Sequence, residues 1–299
     1  MLDFSIFFNK RIKCAGLGEV LFDVYPTGPK IGGAPANFAY HCRQNGLEAV
    51  AISSVGHDKL GFLARDLLAK RFLPALLTDS DKVTGAVNVA LSEQGVPTYS
   101  FVEDTAYDDI KATEEVLDLA QELDMICFGS LAQRSEKSHR AIMDILDALP
   151  AGSLKVFDVN LRAKYYSKEV IEQSLNRSQI FKCNEDELPV LCELSGIKVN
   201  SADEYKKYLS DKGIDCFVFT EGALQSTVYL NDEKTVVQTP KVSNVVDTVG
   251  AGDSFTATLI SSLMKGMSLI DSHTRAVNIA AYVCTQKGAM PYIPVSLLS

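Results

Sequence analysis

Positive charge is in short supply in this chain: 29 Lys and Arg stand against 38 Asp and Glu, a formal net charge of −9. A surface that holds nucleic acid or an anionic membrane needs a basic patch, so the balance argues against both partners. It leaves room for an anionic nucleotide, because a phosphate pocket is local and can be built from backbone N–H groups. Long apolar runs are also missing. No stretch approaches the ~18 residues of a spanning helix, and the opening MLDFSIFF is too short and too acidic for a signal peptide. The seven cysteines (Cys14, Cys42, Cys127, Cys183, Cys192, Cys216 and Cys284) are scattered, odd in number and without a C-x-x-C pair. Most lie in apolar runs such as MICFGS and DCFVFTEG, which reads as buried, reduced thiols of a soluble cytoplasmic protein rather than disulfides or zinc ligands.

Several catalytic signatures are absent too. There is no G-x-x-x-x-G-K-[ST], which excludes a P-loop, and no G-x-S-x-G or H-E-x-x-H. GLGEVL (Gly16–Leu21) starts like a dinucleotide fingerprint but lacks its third glycine. The four histidines are far apart in sequence. His41 falls in a helical run, and His139 and His273 near helix starts, where structural or solvated roles are the default.

What is present is an ordinary globular balance, 46% hydrophobic and 22% charged. Strand-like runs at Cys14–Phe22, Ala49–Val55, Met125–Gly129, Leu154–Val159, Gln179–Cys183 and Cys216–Thr220 alternate with helical patterns. The helical patterns fall near 34–45, 58–71, 113–122, 135–148, 168–176, 185–194, 201–211, 252–266 and 270–287. This alternation predicts an α/β fold with a mostly parallel sheet covered on both faces. Without repeats or a Pro/Ser-rich linker, one domain over 1–299 is expected. TGAVNVAL, SEQG and VPTYSFV read as two strands around a four-residue loop, locally an edge pair of the main sheet.

Two segments suggest chemistry. DTVGAGDSF (Asp247–Phe255) places Gly250, Ala251 and Gly252 directly before Asp253, where a helical pattern begins. Asp253 alone is explained as a complement to the helix dipole, worth about 0.3–1 kcal/mol. The small residues are not: they let a ligand approach and let consecutive N–H groups converge on an anion. An anion hole beside a carboxylate is the pair that phosphoryl transfer from ATP to an alcohol requires. A carboxylate there is expected to stay ionised, and with a loose transition state the hydroxyl proton need leave only late. In IGGAPANFAYH (Ile31–His41), Gly32 and Gly33 precede a Pro suited to a first helical turn. A tight loop entering a helix accounts for this stretch, and so does a backbone that approaches a small polar ligand beside Asn37. Asp23 closes the strand GEVLFD, at the kind of strand end where open α/β sheets bind ligands.

GGAPANFA, GHDKLG and DTVGAGDSF, with FGSLAQR, FDVNLR, CNEDE and TEGA in order between them, resemble the signature regions of the ribokinase-like (PfkB) carbohydrate kinases. The resemblance spans nearly the whole chain, and GEVLFD, AYDDI and FDVNLR look most like the fructokinase branch. It implies a ribokinase-like fold and ATP-dependent phosphorylation of a small sugar, fructose first. Ribose, a nucleoside or a keto-deoxy sugar acid are the other acceptors, and a non-catalytic sugar- or nucleotide-binding regulator is the rival. The acidic VPTYSFVEDTAYDD disfavours a sugar phosphate. Asp253 would be the base, with Gly250, Ala251 and Gly252 the anion hole. Asp23, Gly32, Gly33 and Asn37 would hold the sugar. Arg162 would either assist near the sugar and phosphates or be a surface arginine. Asn184 and Glu187 match the family's N-x-x-E, whose Glu helps hold Mg²⁺ through water. Thr220 and Gly222 match the nucleotide-binding strand end, and Asn278 the adenine-lining helix. The family's K⁺ site would fall on backbone oxygens of Asp247, Val249 and Gly288. The hairpin becomes a lid, formed by segments near 20–31 and 84–108, with Tyr99 or Phe101 over the sugar and a homodimer through the lid. Departures are Thr258, a larger residue at a packing contact, His57 in the GxD segment, and AKRFLP where a glycine is usual.

Overall fold

Five rings lie side by side across neighbouring strands: Phe128, Phe157, Phe181, Phe217 and Tyr229, with successive centroids 5.1, 5.7, 5.9 and 5.5 Å apart. Each such pair contributes about 0.5–1.5 kcal/mol beyond its buried area. The structure, a computed structural model, describes residues 1–91, 97–199 and 201–298. Its strands are β1 (Lys13–Leu17), β2 (Leu21–Tyr25), β3 (Gly28–Gly32), β4 (Glu48–Gly56), β5 (Ala75–Ser80), β6 (Gly85–Leu91) and β7 (Pro97–Phe101). They continue with β8 (Met125–Phe128), β9 (Leu154–Asp158), β10 (Ile180–Asn184), β11 (Cys216–Glu221), β12 (Gln225–Leu230) and β13 (Glu233–Gln238).

Nine strands form one sheet in the order β13-β12-β11-β10-β9-β8-β1-β4-β5, parallel except for the antiparallel β12 and β13. Alternate residues of each strand feed two separate apolar cores. Ile180 and Val218 join Phe38, Leu68, Leu259 and Val277 on one face, while Phe181 and Phe217 join Val116, Ile142, Ile171, Leu191 and Leu209 on the other. Helices Ala34–Gln44, Lys59–Lys70, Ala251–Met264 and Leu269–Cys284 therefore cover the first face, and the five helices between residues 114 and 211 cover the second. Side-chain caps fix several of the starts: Asp58, Thr113, Ser167, Ser201 and Ser268 each accept a bond from a first-turn backbone N–H. The expected α/β fold with a mostly parallel sheet is thus present. From β1 the chain builds outward to β4 and β5, then returns to add β8 to β11 on the other side. The crevice beyond the carboxyl ends of β1 and β8 is a topological switch point, where such sheets bind ligands.

Two local expectations are corrected. The run Cys14–Phe22 is not one strand: β1 ends at Leu17, and β2 starts at Leu21 in a second sheet. Between them Gly18 N–H bonds Ile52 O at 3.1 Å and Val20 N–H bonds Ser53 Oγ at 3.1 Å, which turns the chain out of the main sheet. Both halves are apolar, so the pattern hides the break. The hairpin is not an edge of the main sheet either. It pairs with β2 in a four-stranded sheet of order β3-β2-β6-β7, and the main-sheet edges are β5 and β13. Its connecting loop SEQG and the side chain of Tyr99 lie outside the described residues. All seven cysteines are free thiols, six of them buried. No helix among the described residues is long and apolar enough to cross a membrane.

Candidate active site

The helix Ala34–Gln44 begins on Gly33, whose φ of 113° and a would-be Cβ only 2.1 Å from Glu19 O leave glycine as the one residue that fits. Pro35 follows in the first turn, and Asn37 comes one turn in, buried. The helix Ala251–Met264 starts the same way. Gly250 sits at φ 81°, and a Cβ there would lie 2.5 Å from Ala289 O. These two helix starts meet: Asn37 Nδ2 donates to Asp253 Oδ2 at 2.8 Å. The other amide atom, Oδ1, is buried without a hydrogen-bond partner among the described residues.

Asp253 is half-buried and carries a pKa raised to about 6. Burial is the main cause, then the like charge of Asp158; the Asn37 bond, Lys182 and Arg162 pull the other way. The shift runs opposite to the low value expected beside a helix N-terminus, because desolvation outweighs the dipole, yet with a value of about 6 the group is still mostly ionised at neutral pH. A second carboxyl, Glu19, stands at the same crevice. Oε1 accepts from Ala34 N–H at 3.2 Å, Oε2 has no partner among the described residues, and burial pushes its pKa to about 7. Only an acid inside an apolar run, GEVLF, marks it in the sequence.

Asp23 lies in β2, beside Gly32 of β3: a Cβ on Gly32 would stand 3.7 Å from its Oδ2. Its carboxylate accepts no hydrogen bond among the described residues, and burial raises its pKa, as does Asp247, against Lys30 and Arg162. Arg162 is exposed on the loop after β9, with its Nη1 on Leu161 O at 3.1 Å. Its charge nonetheless reaches Asp23, Glu19 and Asp253, which places it at the crevice. Phe101 at the end of β7 packs edge-on against Tyr165 at 5.8 Å.

Asn184 and Thr220 are neighbours in register at the ends of β10 and β11. Asn184 Oδ1 caps the following helix through the N–H groups of Asp186 and Glu187, both at 2.9 Å. Glu187 is buried and accepts from Leu161 N–H at 2.8 Å and Asn184 N–H at 2.9 Å. Each oxygen keeps a lone pair, so Glu187 fits a Mg²⁺ held through water and by substrate phosphates rather than by a protein cage. No cluster of three metal-ligating side chains occurs among the described residues. Gly222, at φ 46°, lies just past β11, and Asn278 is exposed on the helix Leu269–Cys284. Asp247 joins two loops: Oδ1 accepts from Val249 N–H and Oδ2 from Gly288 N–H, both at 3.1 Å. The three positions expected around K⁺ are therefore close together.

The departures have physical explanations. Thr258 is buried without being an intruder, since its Oγ1 accepts from Asn45 Nδ2 at 3.1 Å. His57 is exposed, while its neighbour Asp58 both caps the helix Lys59–Lys70 and accepts from Thr84 N–H at 2.7 Å. The helical histidines are framework residues. His41 Nε2 meets Ala289 O at 2.9 Å, His139 lies between Gln133 and Gln173, and His273 between Ser226 and Thr235.

A switch-point crevice, two glycine-broken helix starts joined through Asn37 and Asp253, and a second small sheet define the class as a ribokinase-like α/β fold. A family model described as the pfkB family carbohydrate kinase matches residues 26–295, and the chain belongs to that family. It is 30% identical over 278 residues to a sugar kinase of Pyrococcus horikoshii, covering 89% of this chain and 83% of that one. The crystal structure of that uncharacterized sugar kinase in complex with ATP superposes with a TM-score of 0.78 at 27% identity, over 93% of this chain and 94% of the other. An ATP-dependent 6-phosphofructokinase of Thermoanaerobacterium thermosaccharolyticum is 27% identical, over 98% of this chain and 94% of that one. Fructokinase-2 of Solanum lycopersicum is 25% identical, over 93% and 92%. The fold is matched by a fructokinase of Xylella fastidiosa with bound ATP, at a TM-score of 0.84 and 18% identity over 96% and 98%.

Proposed function

We propose that this sugar kinase transfers the γ-phosphoryl group of ATP to a hydroxyl of a small sugar, with fructose the first candidate. The observation that carries the reading is the 2.8 Å bond from Asn37 to Asp253, which joins the two signature regions at one carboxylate beside the Gly250 turn. In the step, the sugar oxygen forms a bond to the γ-phosphorus as the bond to the β–γ bridging oxygen breaks. ADP leaves, and the hydroxyl proton passes to the Asp253 carboxylate. Backbone N–H groups of Gly250, Ala251 and Gly252 would face the charge on the phosphoryl oxygens, that of Ala251 by giving up its long 3.3 Å bond to Thr248 O. Asp23, Gly32, Gly33 and Asn37 orient the sugar, Arg162 assists from the crevice rim, and Phe101 on the second sheet closes over it as part of a lid.

Asn184, Thr220 and Gly222 serve the nucleotide, with Asn278 near its base, and Glu187 would hold Mg²⁺ through water. That metal, when bound, supplies charge neutralisation on the phosphates. Backbone oxygens of Asp247, Val249 and Gly288 are the K⁺ candidates. The reading treats 1–299 as one kinase domain, cytoplasmic in setting, dimerising through the second sheet. The likeness to an ATP-dependent 6-phosphofructokinase suggests a sugar phosphate as a second acceptor class. The charges of Lys30 and Arg162 that reach Asp23 support it, while the acidic stretch after the hairpin and the pairing of Lys30 with Asp247 weigh against it.

The experiment is ADP release by the purified protein with MgATP across a sugar panel including fructose, ribose and fructose 6-phosphate, in K⁺ and in Na⁺. Fructose turnover far above the no-sugar rate supports the reading. Turnover with another acceptor keeps the class and replaces the sugar, and no stimulation by any sugar overturns it.

A further inference from the structure

A lone lysine inside the apolar strand IFKCN is unusual, because lysine is almost never fully buried without a partner. Lys182 is buried, and its Nζ donates to both oxygens of Asp158, at 2.9 and 2.8 Å. The two residues face each other in register on β10 and β9, on the side away from the aromatic ladder. Thr256 Oγ1, from the second turn of the helix Ala251–Met264, donates to Asp158 Oδ2 at 3.2 Å. A Cβ on Gly252 would stand 3.4 Å from the ammonium, so Lys182 lies directly behind the 250–252 turn. Two of its three N–H groups serve Asp158, and the third has no acceptor among the described residues. Three carboxylates surround it, from Asp158, Glu187 and Asp253.

Resting on the kinase reading above, we infer that Lys182 is a positioning residue for phosphoryl transfer: held by Asp158, it braces the Gly250–Gly252 turn from behind and sets a fixed positive charge under the transferring group. A neutral floor would pack equally well. The buried cation offsets charge that arrives with the nucleotide, in a site where low dielectric makes the effect strong and reorganisation slight. The same ammonium opposes Asp158 in setting the proton affinity of Asp253, which also faces Asn37, Arg162 and Glu19.

Three variants test this: Lys182→Met, Asp158→Asn and the double variant, in which no charge is left unpaired. Two readouts are used. One is kcat and sugar KM with the acceptor found in the panel. The other is the titration of the Asp253 carboxyl by ¹³C NMR, its signal assigned with Asp253→Asn, which requires no turnover. Lys182→Met is expected to move that titration up by ~1 pH unit or more, and Asp158→Asn to move it down, because each removes one of two opposing charges. The double variant should titrate near wild type yet keep a kcat deficit of ~10–100-fold with sugar KM unchanged, less than loss of a direct oxyanion donor because the charge acts through the turn. Should Lys182→Met not fold, the double variant and Asp158→Asn carry the test. A double variant with wild-type kcat, or one Asp253 titration common to all variants, overturns the inference. Absence of sugar turnover in wild type would count against the kinase reading, and the titration would then still show whether Lys182 and Asp158 set the charge at Asp253.

Discussion

Asn37 donates to Asp253 across 216 residues of sequence, from the second turn of one helix to the first turn of another. The bond holds the carboxylate toward the crevice that Gly33 and Gly250 open. Asp253→Asn keeps a partner for Asn37 while removing the base, so the loss should appear in turnover. A fall in kcat of ~10²–10⁴ with sugar binding largely retained is expected. Steady-state kinetics checks it, and near-wild-type turnover would sink the assignment.

The raised pKa of Asp253 has a consequence for stability. Its folded value, about 6, lies above its ordinary one, so the folded state binds the proton more tightly. Ionising it costs stability as pH rises through about 6. Asp253→Asn is therefore expected to melt higher than wild type at pH 8, with the gap closing as pH falls toward 4. Melting midpoints across that range provide the check; a constant offset would contradict it.

The same shift governs activity. The acid limb of kcat/KM should fall near pH 6, since the protonated carboxyl cannot accept a hydroxyl proton. Glu19, raised to about 7, is itself largely protonated at that pH, so Glu19→Gln, which copies the neutral carboxyl, should leave the limb near pH 6 and remove any second step near pH 7. Measuring kcat/KM from pH 5 to 9 for both proteins decides this.

Asp23 offers a carboxylate that accepts no hydrogen bond among the described residues. Asp23→Ala is expected to raise sugar KM by ~10–100-fold, as befits loss of hydrogen bonds to a charged acceptor, with a smaller effect on kcat. An unchanged KM would remove Asp23 from the sugar site.

Arg134 ties the hairpin to the main body. It is paired bidentately with Asp108 at 2.7 Å on both arms, bonds Val102 O at 2.8 Å, and lies over the rings of Tyr107 and Tyr165. Arg134→Met should destabilise by about 3–5 kcal/mol, because it leaves the buried Asp108 carboxylate without its counter-charge, held by Thr105 N–H and Oγ1. Denaturant unfolding measures this. A loss under 1 kcal/mol would mean the pair is dispensable.

Much of the fold follows from the sequence alone. The alternation of apolar strands with amphipathic helices requires a covered parallel sheet, since neither element can bury its apolar face unaided. The residue after the helix Lys59–Lys70 shows how far local signals reach. Phe72 stands at φ 55° where glycine is usual, with its N–H on Ala69 O and the next N–H on Leu68 O, so the backbone closes the helix despite the side chain. Local sequence also points to Asp253 and the small residues before it, because a glycine-rich turn at a helix start has few other uses. Long-range pairing lies beyond it. Whether GEVLFD continues β1 or leaves for a second sheet depends on bonds to Ile52 and Ser53, and the apolar pattern is the same either way. The edge strand β13 was hidden by its polar alternation, EKTVVQ. Burial was decided only in three dimensions, and with it the charge state of the site. Asp253 and Glu19 hold their protons more tightly because surrounding chain displaces water, and Lys182 stays charged because β9 sets Asp158 opposite it. A sequence names the ionisable groups; the dielectric around them, and the partners within 3 Å, exist only after folding.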